Sequence, residues 1–460
     1  MNPLVAEALR DDPEVAAARS ALLTALERHQ AAIVGVRPPD PGRATAYAEA
    51  VAALEGVRGG PLLLPFLASG IGRGPLVELA DGSVKYDMIN GIGVHHLGHS
   101  HAALAEAAID AALADTIMQG NLQQDQTAEA FSTLLLGLAR SGGADLAHCF
   151  IASSGVMAGE NALKIALQHR SPASRLLAFE GNFAGRTLAF AQITDKASYR
   201  VGLPEVLQVD FIPFFDPERP EESSHRALAV LQGHLSRHPG RHAAMVFELV
   251  LGEGGVHAAS HDFHAPLMRA CREAGVAVLV DEIQTFGRTP HPFAFQHYGL
   301  DDLVDVVWVG KATQACATLF RPGYRPRPGL VAQTYTAGTA AIRAGIVVMR
   351  HLRDGGYFGA DGRIARLHER FRTGLEDLAA RHPDRLRGPW GIGAMVGFTP
   401  LDGSAARVGA LVRDLFERGL ISSTAGHDPT RVRFLVPVGA TEDEHVADVL
   451  GIVDAALAAA

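Results

Sequence analysis

The sequence predicts an α/β fold, with a large domain around a mostly parallel β-sheet and a smaller α+β domain. From about residue 101 to 345, short runs rich in Val, Ile, Leu and Phe alternate with Ala-rich helical stretches. Runs that are apolar on both faces and separated by helices are typical of a parallel sheet covered on both sides. The 460 residues also exceed what one hydrophobic core usually supports, which favours more than one domain.

Residues 1–60 predict a helical N-terminal extension. Asp12 and Pro13 suit the cap and the first position of a helix, where proline loses no hydrogen bond. The apolar residues that follow recur near one helical face: Val15, Leu22 and Leu26. A Pro/Gly-rich break, RPPDPGR, then interrupts the helical pattern.

Six apolar runs predict the strands of the large domain, residues 101–345. In chain order they are HCFIAS, RLLAFE, VLQVDFIPF, AAMVFELV, VAVLVDE and DVVWVGK. In open α/β sheets, ligands gather at the carboxyl ends of the strands, so the residues directly after each run are candidates for a functional site.

Residues 346–460 predict the smaller domain, which residues 61–100 are expected to join. The order is a helix (GRIARLHERFRTGLEDLAARH), a strand (GAMVGFT), a helix (ARVGALVRDLFERGL), a strand (RVRFLVPV) and a last helix. Thr441 and Glu444 are expected to form a capping box at the start of that last helix.

The composition indicates an intracellular protein. A net charge of -9 argues against a nucleic-acid partner, whose binding usually needs a basic face. The start, MNPLVAEALRDDPE, lacks the basic and apolar stretches of a secretory signal, and no apolar run approaches the roughly 18 residues of a membrane span. Three scattered cysteines suit reduced thiols, so a cytoplasmic location is expected.

Two strand ends carry residues of opposite charge. VAVLV ends in Asp281 and Glu282, and DVVWVG ends in Lys311. Either acid could simply cap a strand, but a buried carboxylate could also hold a cationic ring nitrogen. Lysine occurs only four times among 41 basic residues, so a lysine after an apolar strand is a candidate for chemistry that needs a free amine.

Two further strand ends could bind an anion and a planar ring. HCFIA is followed by Ser153, Ser154, Gly155 and Val156, and then by a predicted helix whose free N–H groups would attract a phosphate. RLLAFE leads to FAGRT, where Phe183 could stack on a ring and Arg186 could hold a carboxylate. Each pattern also fits an ordinary helix cap or a core aromatic residue. Together with Lys311 and Asp281, they are what a pyridoxal 5'-phosphate (PLP) site needs.

These motifs resemble those of the class III aminotransferases, which belong to the fold-type I PLP enzymes. DEIQTFGRT is similar to the family's DEVQTGFGRT, which implies that Asp281 holds the pyridine nitrogen and that Gln284 lies near the phenolic oxygen. The distance along the chain to Lys311 fits the family's lysine, which holds the cofactor as an imine.

Three further segments carry the resemblance at the cofactor. SSGVMAGENALK is similar to SGTEANEAALK and implies phosphate binding by Ser154, Gly155 and Val156, and FAGRT is similar to [YF]HGRT and implies stacking by Phe183. TYTAG is similar to TFGGN, which implies that Thr334 reaches the phosphate of a neighbouring subunit in a homodimer.

The resemblance also implies substrate ligands. FELVLGEGGV is similar to EPIQGEGGV and places Glu248 at the cofactor and Glu253 at the substrate, while Arg433 in RVRFLVPV matches a late family arginine. Arg186 would bind the α-carboxylate of an ornithine-like donor. Arg433 would pair with Glu253 while such a donor is bound. It would leave Glu253 to bind a 2-oxo dicarboxylate.

The departures from the family pattern surround the substrate more than the cofactor. A glycine is missing between Thr285 and Phe286, Ala184 replaces His or Trp, and Met157 replaces Glu. Leu249 stands where the family has proline. The motifs therefore predict the chemistry more firmly than the substrate.

The implied function is transfer of an amino group from an ω-amino or diamino acid, of the lysine, ornithine or 4-aminobutyrate type, to a 2-oxo acid such as 2-oxoglutarate. An aminomutase on the same fold and a PLP-binding protein without turnover remain alternatives. No GxGxxG follows a strand, which disfavours a nucleotide-binding oxidoreductase. Four histidines in GIGVHHLGHSH could suggest a metal, but no acidic or cysteine ligand accompanies them in that segment, and none is predicted.

Overall fold

The computed structural model describes residues 3–460, which fold into two compact units. The first unit contains the residues up to Asp115 together with Arg366–Pro389 and Val396–Ala460, and the second contains Thr116–Ala365 and Trp390–Met395. None of the described helices is both long and apolar enough to cross a membrane. The domain borders drawn from the sequence stay a prediction.

The first unit starts with helices and continues into strands. Its N-terminal elements are α1 (Val5–Arg10), α2 (Pro13–Gln30), α3 (Ala44–Arg58), β1 (Ala68–Arg73), β2 (Leu76–Leu79), β3 (Val84–Asp87), α4 (Asn90–Gly93) and α5 (Ala102–Ala112). As expected, Pro13 is the first residue of α2, and the Asp12 carboxylate accepts a hydrogen bond from the N–H of Glu14 at 2.7 Å.

The apolar face expected for α2 is wrong at one position. Leu22 is 57% exposed, whereas Leu23 is partly buried. Polar anchors set the orientation of the helix: Arg19 donates to Asp110 at 2.7 Å, and the Gln30 amide donates to the carbonyl of Gly72 at 2.6 Å. A pattern built from apolar residues alone could not include these two contacts.

The second unit alternates strands and helices. Its elements are β4 (Met118–Gln119), α6 (Gln126–Arg140), β5 (His148–Ala152), α7 (Gly155–His169), β6 (Arg175–Phe179), α8 (Leu188–Ile193), β7 (Val209–Ile212), α9 (Pro220–Arg237), β8 (His242–Glu248), β9 (Val250–Leu251), β10 (His257–Ala258), α10 (His261–Glu273), β11 (Ala277–Asp281), α11 (Ala294–His297), β12 (Val306–Val309), β13 (Cys316–Phe320), β14 (Ala337–Gly338) and α12 (Thr339–Asp354).

The core of this unit is a seven-stranded sheet in the order β5-β13-β12-β11-β8-β6-β7. All six predicted runs are strands of this sheet, and they are parallel to one another, whereas β13 runs antiparallel to both of its neighbours. Strands β8, β11 and β12 are buried throughout, as a sheet covered on both faces requires. The α/β fold class is confirmed, although β13 was not predicted.

The C-terminal elements alternate helices with short strands. They are α13 (Arg363–Arg381), β15 (Leu386–Ile392), β16 (Met395–Pro400), α14 (Ala405–Glu417), β17 (Leu420–Ile421), β18 (Ser423–Ala425), β19 (Arg431–Leu435) and α15 (Asp443–Ala459). They contribute to two four-stranded sheets, ordered β1-β2-β3-β17 and β15-β16-β19-β18. Pairing of β17 with β3 joins the strands before residue 100 to the C-terminal segment, as expected.

The capping box expected for α15 is wrong by one residue. Glu442, not Thr441, is the N-cap, and the Glu442 N–H donates to His445 Nδ1 at 3.0 Å. The Thr441 hydroxyl instead donates to the carbonyl of Pro437 at 3.0 Å. The Thr441 hydroxyl is therefore bonded within the preceding turn and does not cap the helix.

Candidate active site

Asp281 and Lys311 lie at the ends of neighbouring parallel strands. Asp281 is the last residue of β11 and pairs with Trp308 of β12, and Gly310 alone separates the end of β12 from Lys311. Both residues line one pocket of about 290 Å³ within the second unit. The other lining residues are Gly155, Val156, Phe183, Ala184, Gly185, Glu248, Val250, Ile283, Gln284 and Thr285.

The backbone of Lys311 is held in the left-handed region, with φ at 52°. That conformation costs an L residue other than glycine about 1 kcal/mol or more. Lys311 opens a short 3₁₀ helix, Lys311–Thr313, and its carbonyl accepts a hydrogen bond from the N–H of Gln314 at 2.9 Å. Strain of this kind at a pocket residue is typical of functional sites.

Asp281 is buried in the pocket, with 6% of its surface exposed. Burial raises the pKa of its carboxyl, because a charged oxygen is poorly solvated there. A hydrogen bond from the Ile283 N–H at 2.8 Å and the charge of Lys311 oppose that rise. A cation placed against this carboxylate would therefore be strongly favoured.

Glu248 ends β8 and pairs with Asp281 across the sheet. Its carboxylate accepts hydrogen bonds from the N–H of Phe183 at 3.0 Å and of Gly252 at 2.9 Å. Burial raises the pKa of Glu248 to about 8, and the nearby Asp281 adds to the rise. Through these bonds, Glu248 fixes the loop that carries Phe183 to the wall of the pocket.

Glu282 organises the loop that follows β11. Its buried carboxylate accepts hydrogen bonds from the N–H groups of Ala294 at 3.0 Å and Phe295 at 2.9 Å, and from the hydroxyl of Thr285. Burial raises the pKa of Glu282 to about 7. The fully buried Arg288 donates to the Gln284 carbonyl at 3.1 Å, so Glu282 and Arg288 both hold this loop in place.

The anion-binding end of the pocket is the start of α7. Ser154 is its N-cap, and the Ser154 hydroxyl accepts from the N–H of Met157 at 3.3 Å. A Cβ on Gly155 would lie 2.6 Å from Cδ1 of Ile283, and one on Gly310 would lie 2.7 Å from the same atom. Ile283 thus packs between the start of α7 and the backbone before Lys311. Sequence reasoning missed Ile283, although it directly follows the DE pair.

Phe183 and Arg186 occur on the loop between β6 and α8. Phe183 lines the pocket, whereas Arg186 is exposed, with its guanidinium 5.9 Å from the Phe183 ring centroid and 4.3 Å from that of Tyr199. Arg186 also donates to the Tyr199 hydroxyl at 3.1 Å, and Lys196 Nζ lies 4.7 Å from the Tyr199 centroid. Tyr199 was not predicted, because no motif marks the residue on which an arginine stacks.

The predicted substrate residues are divided between the two units. Glu253, in the second unit, accepts from the Gln284 amide at 3.2 Å, and Gly252 makes room for that amide, since a Cβ there would lie 2.4 Å from its oxygen. Arg433, in the first unit, is buried, and its Nε donates to the Ser423 hydroxyl at 3.2 Å.

Thr334 is exposed on the loop before β14. Neighbouring backbone fixes this loop: the Thr336 N–H donates to the Gln119 carbonyl at 2.7 Å, and the Asn121 N–H donates to the Gln333 carbonyl at 3.1 Å. Thr334 does not line the pocket formed by the described residues of its own chain.

The early histidines serve other contacts. His99 Nε2 lies 3.0 Å from a carboxylate oxygen of Asp87, and the rings of His95 and His99 stack with centroids 4.4 Å apart. Asp87 therefore accompanies the histidines, although it lies outside their motif. Within residues 3–460, no group of three or more His, Cys, Asp or Glu side chains is arranged to hold a metal ion.

Comparison with known proteins places the chain in a family. The model of the family described as Aminotransferase class-III matches residues 65–457. The chain belongs to the class III aminotransferases. This class III aminotransferase is 29% identical to the acetylornithine aminotransferase of Bacillus subtilis over 382 residues, which covers 81% of this chain and 90% of that protein. It is 28% identical to the diaminobutyrate–2-oxoglutarate transaminase of Wolinella succinogenes, with 84% and 90% covered.

Solved structures show the same fold. The structure described as lysine aminotransferase from M. tuberculosis in the internal aldimine form superposes with a TM-score of 0.78 at 23% identity, covering 89% of this chain and 99% of that chain. The ornithine aminotransferase from Toxoplasma gondii gives a TM-score of 0.74 at 21% identity, with 86% and 91% covered. The expected fold-type I architecture of class III aminotransferases is confirmed.

Like other class III aminotransferases, the protein uses PLP, and the residues of its pocket suit that cofactor. The pocket brings together an amine on Lys311, a buried carboxyl on Asp281, the start of a helix at Gly155 and an aromatic ring on Phe183. The glycine backbones at 155 and 310 leave room where a Cβ would collide with Ile283. A flat, phosphate-bearing pyridine fits this set of groups.

Proposed function

We propose that this class III aminotransferase moves an amino group from an ω-amino or diamino acid to a 2-oxo acid such as 2-oxoglutarate. The observation that carries the proposal is the position of Lys311 beside the buried Asp281 in one pocket. The names of its relatives support the substrate class, since acetylornithine and diaminobutyrate both bear an amine at the far end of the chain.

Lys311 and Asp281 are the proposed catalytic residues. PLP, when bound, supplies a ring that withdraws electrons from the donor carbon. Lys311 Nζ would hold the cofactor covalently, and as a free amine it would move a proton between the donor carbon and the cofactor. The Asp281 carboxylate would keep a proton on the ring nitrogen, because a cation beside it would oppose the rise in pKa that burial causes.

The remaining pocket residues are proposed to position the cofactor. Backbone N–H groups of Gly155 and Val156, with the Ser154 hydroxyl, would hold the phosphate at the start of α7. Phe183 would stack on the ring, held by the hydrogen bond between its N–H and Glu248. Gln284 would lie at the phenolic oxygen, a role supported by its place in the pocket lining.

Arg186, Glu253 and Arg433 are the proposed substrate residues. The exposed Arg186 guanidinium suits the carboxylate of an incoming donor, because its planar fork can form two parallel hydrogen bonds. For Glu253 and Arg433, the support is their match to the family motifs, which implies a pair that opens for a dicarboxylate acceptor.

We also propose a homodimer in the cytoplasm, with Thr334 serving the neighbouring site. The surface around the exposed Thr334 supports this: Ile117 is 79% exposed, Leu122 102% and Tyr335 43%. Apolar side chains that protrude together often mark a protein–protein interface. The three unpaired cysteines agree with a reducing compartment.

Changing Lys311 to alanine tests the assignment. Loss of the amine should lower kcat by about 10²-fold or more, since general acid–base catalysis alone contributes that much. Lys164→Arg is the matched control, because Lys164 only donates to the carbonyl of Leu330 at 3.1 Å, and arginine keeps a donor. A Lys311→Ala enzyme with substantial turnover would defeat the proposal.

The product separates transamination from the alternatives. With a panel of lysine, ornithine, acetylornithine, 4-aminobutyrate and β-alanine, we expect release of a free oxo product and ping-pong kinetics. An aminomutase would release no oxo acid. A protein that binds PLP without turnover would show the cofactor's absorbance but no spectral change with any amine.

A further inference from the structure

A second pocket lies in the same unit at the opposite edge of the seven-stranded sheet. It lies at the amino ends of the two strands that carry the catalytic residues, since Val276 directly precedes β11 and Asp305 directly precedes β12. Its lining residues are Asp145, Arg170, Arg272, Gly275, Val276, Asp305, Arg321, Gly323 and Tyr324. The proposed catalytic chemistry uses none of these residues.

Three arginines from different elements converge on this pocket. Arg170 directly follows α7, Arg272 lies in the last turn of α10, and Arg321 directly follows β13. Two of them are fixed by backbone carbonyls: Arg321 donates to Val304 at 2.7 Å and to Asp302 at 2.6 Å, and Arg272 donates to the same Asp302 carbonyl. Carbonyl oxygens orient these two guanidinium groups. Among the described residues Arg272 has no carboxylate at ion-pair distance, and Arg321 approaches one, Asp305, only at 3.9 Å.

Arg170 has the fewest partners of the three. Within residues 3–460 its side chain forms no hydrogen bond and no ion pair, although its Nε is buried. The guanidinium lies over Gly275, whose φ is 70° and where a Cβ would lie 2.3 Å from Arg170 Nη2. A buried N–H without an acceptor is costly, so an acceptor from outside the protein would stabilise it.

The acidic residues of the pocket do not neutralise this charge. Asp305 is 4% exposed, and its carboxylate already accepts from the Val278 N–H at 2.9 Å and the Tyr324 hydroxyl at 3.1 Å. Its closest approach to an arginine is 3.9 Å, to Arg321 Nε. Asp145 is exposed and forms no ion pair with any described residue. Three guanidinium groups therefore face two carboxylates, and one of these, Asp305, already accepts two hydrogen bonds from other groups.

We propose that this pocket is a second ligand site, which binds a small molecule through a phosphate group. Guanidinium forks match the oxygens of a phosphate, and a dianion would compensate the positive charge that Asp305 neutralises only in part. The cavity of about 330 Å³ exceeds what a phosphate ion needs, so a phosphate ester also fits. Arg170 and Arg272, at the C-terminal ends of α7 and α10, also interact favourably with the helix dipoles. That role does not explain the pocket or the presence of the third arginine, Arg321.

Calorimetric titration of the PLP-loaded enzyme tests the site, because the bound cofactor already occupies the catalytic phosphate cradle. Inorganic phosphate and glycerol phosphate are the probes for the free ion and for an ester. We expect saturable binding of one phosphate probe per chain and weakening by about tenfold or more in Arg170→Gln.

The matched control is Arg226→Gln, which removes an exposed arginine of α9 that forms no ion pair with the described residues. It should bind phosphate like the wild type. Arg272→Gln provides a second test, and thermal unfolding without ligand checks that each variant is folded. Absence of saturable binding to the wild type, or equal affinity in Arg170→Gln and the wild type, would overturn the proposal whatever the transaminase activity.

Discussion

At the scale of single residues, burial controls the charge of the acids around Lys311. Asp281, Glu248 and Glu282 are all buried, and burial raises the pKa of each carboxyl. Glu282 positions the loop after β11, Glu248 lines the pocket and holds the loop of Phe183, and Asp281 lines the pocket beside Lys311. The three acids therefore serve different purposes although their surroundings are alike.

The raised pKa of Glu248 predicts a pH dependence of stability in the cofactor-free protein. Its pKa is about 8 in the folded state and 4.5 in the reference state, so the folded state binds the proton more tightly. The contribution is fully present below pH 4.5 and is lost as the pH rises through about 8. Glu248→Gln should flatten this decline, which is on the order of a few kcal/mol. Urea unfolding across this range measures it.

The control for that measurement is Glu273→Gln, which changes an exposed glutamate of α10. Its unfolding free energy should follow the wild-type pH profile. If Glu248→Gln keeps the full wild-type slope, the decline belongs to other groups, and the pKa argument for Glu248 is wrong.

Tyr199 is predicted to hold Arg186 in its binding position. The ring lies 4.3 Å from the guanidinium, and the hydroxyl accepts from it at 3.1 Å. Tyr199→Ala should raise the KM of a carboxylate-bearing donor by about tenfold with a smaller change in kcat, since cation–π contacts contribute about 0.5–2 kcal/mol. Tyr199→Phe keeps the ring and should have a smaller effect.

A simple diamine without a carboxylate is the diagnostic donor for Tyr199. It has no group for Arg186 to bind, so its KM should be unchanged in Tyr199→Ala. An equal rise in KM for the diamine and the amino acid would show that Tyr199 only supports the local structure.

At the scale of elements, the start of α7 and the end of β12 are coupled through one side chain. Cδ1 of Ile283 occupies the space in which Gly155 or Gly310 would place a Cβ. Gly155→Ala should therefore push Ile283 toward the pocket and lower PLP affinity by about tenfold, within the usual 1–3 kcal/mol effect of overpacking. Ile283→Val removes the colliding methyl group, so the double variant should regain affinity. Absorbance titration of the cofactor-free proteins measures this.

The outcome of the double variant decides between two explanations. Recovery in Gly155→Ala/Ile283→Val shows that the collision lowered the affinity. If the double variant binds PLP no better than Gly155→Ala, the glycine is needed for its backbone alone, and the packing argument fails.

The elements also show how far the sequence predicts this fold. Apolar runs located all six parallel strands, because strands buried on both faces need continuous hydrophobicity. Strand β13 was not predicted, because CATLF is a short segment between the 3₁₀ helix that begins at Lys311 and a Pro/Gly-rich loop. The cap of α15 was predicted wrongly, because the Thr441 hydroxyl donates to the Pro437 carbonyl. That bond depends on the fold of the preceding turn, which the sequence pattern does not show.

The site was predictable to the extent that motifs reside at strand ends. Lys311, Asp281 and Phe183 lie together in the pocket because parallel strands deliver their carboxyl ends to one edge. The contacts of Tyr199 with Arg186 and of Ile283 with Gly155 form only when separate elements pack together, which no local pattern contains. For the same reason, the three arginines of the second pocket carry no sequence signal, since each comes from a different element.

At the scale of the whole molecule, the seven-stranded sheet presents different chemistry at its two edges. The carboxyl edge carries the pocket of Lys311 and Asp281, the proposed PLP site, and the amino ends of β11 and β12 carry the arginine pocket. A ligand of the second pocket would therefore not compete with substrate for space. Thr334 stands apart from both, exposed on its loop, which is why its proposed role requires a second copy of the chain.

Mixing inactive subunits tests that role of Thr334. Thr334→Ala should weaken PLP binding by about tenfold or more through loss of a hydrogen bond to a charged group. In a dimer of a Lys311→Ala subunit and a Thr334→Ala subunit, one site then carries both changes and the other carries neither. Co-refolded equal mixtures, assayed at limiting PLP, should recover about a quarter of wild-type activity, because half of the dimers are mixed and each has one intact site.

A mixture of Lys311→Ala with the Lys311→Ala/Thr334→Ala double variant contains no intact site and should stay inactive. If Thr334 acts in its own subunit, both sites of every mixed dimer are damaged, and the first mixture shows no gain over its parents.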